Sequence, residues 1–397
     1  MDQLLKWSRP FVLAVFIGGI AAGGVLAGQT GVSQSGAVTT YTPPSDVVID
    51  YQHAKPMPLP MAHTKPLRPL EGGVSVQKSG VPKFVPGSPG TGVMTPETWT
   101  PPVTKEAVGS EADIVTPQEY GTSNHPFTTS RVDLSGNSPS NRYPYRAAGK
   151  LYFKIGADTY VCSASLIDKG IIVTAAHCVA DFGASTFYSG WKYVPAQSGA
   201  TRPYGTWSVK TAYVLGSYLN GTDSCAEAGI VCENDVAVLV AAPKLGVYPG
   251  RATGWFGYGW DGWGFAPTSP NSALINQLGY PVTHDGGLKM QRTDSLGYVD
   301  STSSNNTVWG SRQTGGSSGG PELVNLGKAA VLSGTDAGTD GDYNIVVGVT
   351  SWGYTSTLYK EQGASPFTSS NIGDTTIPDT LVYEACAAYP KACTLPP

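Results

Sequence analysis

Charge is what this sequence has least of. Asp, Glu, Lys and Arg make up 14 % of its 397 residues, against about 25 % in an ordinary soluble domain. The formal charge is −4 and there is no basic run, so the chain lacks the electrostatic footprint of a nucleic-acid partner. Histidine is scarce as well: of the five, only His177 and His284 lie beyond residue 140. No cysteine precedes Cys162. No long segment has an apolar period near 3.6 residues, which argues against a helical architecture. The longest apolar run, FVLAVFIGGIAAGGVL, is shorter than the roughly 20 residues of a membrane span. No stable membrane anchor is expected.

That run follows Lys6 and Arg9 and leads into small residues at Ala27 and Gly28. Residues 1–28 therefore read as an export signal and place the protein outside the cell or in the periplasm. Six cysteines, Cys162, Cys178, Cys225, Cys232, Cys386 and Cys393, agree with disulfides formed in an oxidising compartment. Six cysteines allow 15 pairings. Order along the chain suggests Cys162–Cys178, Cys225–Cys232 and Cys386–Cys393, and the C-x6-C spacing of the last two matches no common zinc site.

Residues 29–140 hold 16 of the 31 prolines, in runs such as KPMPLPMAHTKPLRPL. Proline removes backbone donors, so a continuous sheet is not expected here. The segment reads as a prosegment or linker ending between Arg131 and Arg146. From Tyr143 onward the texture is β: LYFKIG, YVCSASLI, GIIVTAA, VAVLVAA and NIVVGVTSW are short β-branched runs set off by Gly, Asp, Asn and Pro. Many short strands point to an all-β sandwich or barrel architecture. The expected division is 1–28 signal, 29–140 prosegment or linker, 141–385 main domain and 386–397 a short C-terminal disulfide loop.

Three stretches carry chemistry together. GIIVTAAHCVAD places His177 at the end of an apolar strand, and a general base near neutral pH is most often histidine. ENDVAVLVAA supplies Asp235 at the entry to a buried strand, suited to hold that histidine's tautomer. TGGSSGGPEL holds Ser317 and Ser318 among glycines that permit a tight turn and close approach of a carbonyl. Ser318 is read as the nucleophile, with the N–H groups of Gly316 and Ser318 forming an oxyanion hole. The order His, Asp, Ser is one of the known triad orders. Each stretch alone has a plainer reading, as a core histidine, a turn aspartate and a flexible loop; their combination favours catalysis.

TAAHC, GSSGGP and VGVTSWGY resemble the chymotrypsin-like serine peptidases, over roughly residues 143–372. The resemblance implies an all-β fold of two antiparallel six-stranded barrels with the active site between them. It also implies protein or peptide substrates, no cofactor or metal, and a monomer. Ser351, Trp352 and Gly353 would take substrate backbone as an added strand. Ser317 stands where the animal trypsin-like branch has an aspartate, so activation by a new N-terminal amine is not expected. QLGYPVTHDGG and YPYRAAGKLYF look more like the bacterial branch that includes the glutamyl endopeptidases. Counting back six from Ser318 gives Arg312 as a pocket-base residue, with Gln313 beside it. Together they would favour an acidic side chain; the alternative is a solvated loop arginine. Two other functions fit the same motifs, an exported binding protein on this fold with idle chemistry, and an esterase.

Three further features have weaker readings. Trp255, Trp260 and Trp263 are a possible sugar- or peptide-binding platform, although a strand with its core aromatic followed by an aromatic-rich surface loop fits better. Asp336, Asp340 and Asp342 invite calcium but fail the EF-hand pattern. Asn220 and Asn305 begin glycosylation-like triplets.

Overall fold

The computed structural model describes residues 29–63, 82–98, 126–133, 138–266, 272–300, 306–328, 342–354 and 360–397. The signal segment, Asn305, Asp336 and Asp340 lie outside the described residues.

Two closed barrels organise the chain. The first is made of β1 (Ala148–Ile155), β2 (Asp158–Leu166), β3 (Ile171–Thr174), β4 (Ser189–Pro195), β5 (Trp207–Leu215) and β6 (Ala237–Ala241). They run in the order β5-β4-β1-β2-β3-β6, and β6 returns to pair with β5. The second is made of β7 (Ser272–Gly279), β8 (Gln291–Asp300), β9 (Asn306–Gly310), β10 (Pro321–Val324), β11 (Ile345–Tyr354) and β12 (Glu361–Pro366). Its order is β10-β7-β8-β9-β12-β11, closed by β10 on β11. Neighbours within both barrels are antiparallel, so closure leaves neither barrel with a free edge.

The pattern of burial follows the sequence. IIVT of β3 and AVLVA of β6 are buried at every position, as expected of near-continuous apolar runs covered on both faces. Ile172, Val173, Val238 and Leu239 join one core with Trp191, Tyr193 and Val214. In the second barrel Ile275, Trp309, Val324, Ile345 and Val347 form another. The three cysteine pairs suggested by chain order are the disulfides that form.

The proline-rich segment is not set apart from the barrels. Val38–Tyr41 pairs with the end of β5, and Phe127–Arg131 pairs with β8. Lys83–Val85 pairs with Gly257–Trp260, which in turn lies parallel to β11. These strands have two to five residues, as short as interspersed prolines require. At the other end, Cys386 sits inside a helix, α1 (Leu381–Ala388). The helix packs on β5 and β6, and Thr211 and Tyr389 share a hydroxyl contact at 2.6 Å. Thus the expected boundary at 385/386 falls within one packed element. Trp260 and Trp263 are both 2 % exposed; Trp263, in the part expected to be a surface loop, packs instead into the second core beside Val324 and Ile345. Among the described residues no helix is long and apolar enough to cross a membrane.

Candidate active site

The strand β3 ends at Thr174, and the chain then makes a single buried turn, Ala176–Cys178, that carries His177. Its direction is fixed from several sides. The Cys162–Cys178 bridge ties the turn to β2, and the Trp191 indole donates to the Cys178 carbonyl at 3.1 Å. Asp235 stands just before β6, the antiparallel neighbour of β3. One Asp235 oxygen accepts the His177 backbone N–H at 2.8 Å; the other lies 2.7 Å from Nδ1 of the ring. A carboxylate can only accept, so Nδ1 carries the proton and Nε2 is left as the bare, basic nitrogen.

The Asp235 carboxylate has a third donor, the Ser351 hydroxyl at 2.5 Å. Its own N–H donates to the Ser365 hydroxyl at 3.1 Å, and that hydroxyl donates to the Cys232 carbonyl at 2.7 Å. Ser351 was read from the sequence as a backbone partner of substrate. Its side chain has a separate task, because three donors on one buried carboxylate lock its orientation.

Ser318 lies in the turn between β9 and β10. Gly316 and Gly319 have φ of 93° and 76°, a region that suits glycine. A side chain at Gly319 would also bring its Cβ within 2.0 Å of the Thr174 hydroxyl oxygen and 2.8 Å of the Ala175 nitrogen. The turn bearing Ser318 is thereby pressed against the end of β3, three residues before His177. Ser163, beside Cys162, holds it there: its N–H donates to the Ser318 carbonyl at 2.7 Å, and its hydroxyl donates to the Gly316 carbonyl at 2.8 Å. The Ser318 hydroxyl oxygen and His177 Nε2 are both buried, and among the described residues neither has a hydrogen-bond partner.

Ser317 is fully buried and points away from this pair. Its hydroxyl donates to the Thr314 carbonyl at 2.7 Å and accepts from the Gln362 amide at 3.4 Å. Gln362 also donates to the Gln313 carbonyl at 2.7 Å and accepts from Gln277 at 2.6 Å. Gln277 in turn donates to Thr350 at 2.9 Å and accepts from Ser311 at 2.7 Å. A neutral amide network therefore supports the loop from beneath, where an aspartate and an N-terminal amine had not been expected. Ser163, Gln277 and Gln362 escaped the sequence reading because single serines and glutamines in strands have no motif.

Of the pocket residues, Arg312 is half-buried. Gln313 is 3 % exposed, and its amide is already given to Thr293 at 3.1 Å. The Trp352 ring is buried, with its indole N–H on Asn306 at 2.8 Å. The Gly353 N–H beside it donates to the Pro60 carbonyl at 2.9 Å. His284 precedes a short turn at Asp285–Gly287, as its polar context suggested. Two clusters bring metal-ligating atoms together among the described residues, Cys162, His177, Cys178 and Asp223, Cys225, Cys232. In each the sulfurs are joined to one another and offer no thiolate, so neither donor set fits a metal centre.

The family model described as Trypsin matches residues 134–371. An extracellular metalloprotease of Bacillus subtilis (strain 168) is 32 % identical over 126 residues, covering 30 % of this chain and 35 % of that protein. The chain thus spans about a third of the length of that curated relative. A thermostable serine protease, AL20, from an extremophilic microorganism aligns at 22 % identity over 56 % of this chain and 92 % of its own, with a TM-score of 0.44. A Glu endopeptidase in complex with MPD aligns at 19 % identity over 60 % and 91 %, with a TM-score of 0.41.

Proposed function

The chain belongs to the trypsin family, and from that premise we propose that it is a serine endopeptidase whose reaction is carried by Ser318, His177 and Asp235. His177 Nε2 takes the proton of Ser318 as the serine oxygen attacks a peptide carbonyl. Asp235 holds the ring and stabilises the imidazolium. The N–H groups of Gly316 and Ser318 receive the oxyanion. His177 returns the proton to the leaving amine, and water repeats the sequence on the acyl-enzyme. The observation that carries this reading is the asymmetry at His177: Nδ1 is committed to a buried carboxylate, while Nε2 and the Ser318 hydroxyl are buried without other partners.

The protein is read as secreted, acting on protein or peptide substrates, with the proline-rich segment removed in maturation. Ser351, Trp352 and Gly353 offer backbone groups to a substrate strand. Arg312 is the proposed source of a preference for acidic side chains, with Gln313 beside it giving one amide N–H to Thr293.

A mixed peptide library incubated with the processed protein and with its Ser318→Ala and His177→Ala variants tests the assignment. Each variant is expected to lower turnover by about 10⁴-fold or more. Near wild-type turnover in either would remove that residue from the mechanism. A preference for Asp or Glu before the cut that survives Arg312→Ala would remove Arg312 from the pocket.

A further inference from the structure

Residues 55–62, KPMPLPMA, cross the cleft between the barrels in front of Ser318. On the first barrel Lys55 and Pro56 pair in parallel with Tyr160 and Val161 of β2, and the Met57 N–H donates to the Val161 carbonyl at 2.8 Å. In the middle, the Met57 carbonyl accepts the N–H of Gly316 at 3.1 Å. That N–H is one of the two expected to receive the oxyanion. On the second barrel the Pro60 carbonyl accepts the Gly353 N–H at 2.9 Å, and Met61 and Ala62 run parallel to Gly353 and Tyr354 of β11. Leu59 is 7 % exposed, and its Cδ2 lies 2.9 Å from where a Cβ on Gly353 would stand. The segment uses the same backbone groups that a substrate strand would need, and the Ser318 hydroxyl behind it is shut off from solvent.

Direction separates this occupant from a substrate. The amine expelled in cleavage must take its proton from His177, and His177 belongs to the first barrel, bridged through Cys178 to Cys162 beside Val161. A productive peptide therefore lays its acyl half on β11 and its amine half on β2. Residues 55–62 do the opposite, with their N-terminal half on β2 and their C-terminal half on β11. We infer that this segment is an inhibitory strap, through which the intact chain fills its own substrate cleft in the direction opposite to that of a cleavable peptide. The inference rests on the peptidase reading above and adds to it the regulation of that site.

The composition of the strap fits the task. Pro56, Pro58 and Pro60 alternate with residues that carry N–H groups, so the strap is stiff and has few donors to satisfy. The bond after the Met57 carbonyl is to a proline nitrogen. Lys55 pairs with Asp158 at 2.9 Å at one end, and His63 Nδ1 meets Glu227 at 2.5 Å just past the other. These exposed pairs set position more than affinity; the backbone bonds and Leu59 hold the strap.

The test compares the full chain with Leu59→Asp and, separately, with Met57→Pro, which removes the donor to Val161. The readout is the rate at which a fluorophosphonate probe labels Ser318, with mass spectrometry confirming that the labelled chain is uncut. Each variant is expected to label faster by about tenfold to a hundredfold, the factor that losing one buried leucine or its equivalent from the closed form would give. Residues 55–62 are expected to remain uncut by the active protein. If the intact wild type labels as fast as both variants, and all depend on Ser318, the strap is refuted while the peptidase reading stands. Self-cleavage within residues 55–62 would refute the reversed orientation. If no form labels, including one clipped to remove residues 29–63 and shown by circular dichroism to remain folded, the peptidase assignment fails and the strap with it.

Discussion

Glu322 lies four residues beyond Ser318, fully buried in β10, and among the described residues neither of its carboxyl oxygens has a hydrogen-bond partner. Burial pushes its pKa up from an ordinary 4.5 to about 8, so at neutral pH it is held as the neutral acid. The unfolded chain releases this proton near pH 4.5, whereas the folded chain keeps it until near pH 8. Glu322 therefore favours folding fully below pH 4.5, and that contribution is lost as pH rises to about 8. Glu322→Gln is expected to flatten the dependence and to be the more stable protein at pH 8, by an amount on the order of a few kcal/mol. Urea denaturation at pH 4 and pH 8 would measure it; parallel curves for the two proteins would rule out the neutral buried acid. His177, Asp235 and Ser318 could be proposed from the sequence because their three stretches combine in a known triad order, although each stretch alone has a plainer reading. Ser163, Gln277, Gln362 and Glu322 could not, since their importance arises only when strands more than 30 residues apart in sequence come together.

Among the elements, the turn bearing His177 depends on a covalent tie that chain order suggested and the fold explains. Cys162 and Cys178 are separated by 16 residues, and a loop of that size contributes about 3 kcal/mol in the chain-entropy model. For a domain of this size that corresponds to a fall in Tm of about 6–12 °C in a Cys162→Ser, Cys178→Ser protein. A calorimetric shift below one degree would mean that the barrel alone fixes the turn. Two elements were hidden from the sequence for opposite reasons. The eight-residue helix α1 is too short to display a period and is held by packing on β5 and β6. The strap at residues 55–62 has a composition that argues against a sheet, yet it pairs through carbonyls and through the few N–H groups between its prolines. Proline content bears on which donors are available, and a short occupant of a cleft needs few.

At the scale of the molecule, alternating runs of β-branched residues and turn residues were enough to expect an all-β sandwich or barrel, while the expectation of two barrels came from the resemblance carried by TAAHC, GSSGGP and VGVTSWGY. The residues proposed for catalysis are divided between them, with His177 and Asp235 on the first barrel and Ser318 on the second. The cleft is therefore a consequence of how the barrels dock, and Ser163 and Ser351 each reach across it, to Gly316 and Asp235 respectively. The same cleft accepts the chain's own residues 55–62, so chemistry and restraint share one set of backbone donors. The central claim is that Ser318 is a nucleophile made reactive by His177. The most direct measurement is the site and rate of fluorophosphonate labelling in the Leu59→Asp protein with and without His177→Ala. Labelling on Ser318 alone, slowed by about a thousandfold or more when His177 is replaced, is the predicted result. An adduct on another residue, or equal labelling with and without His177, would contradict the account.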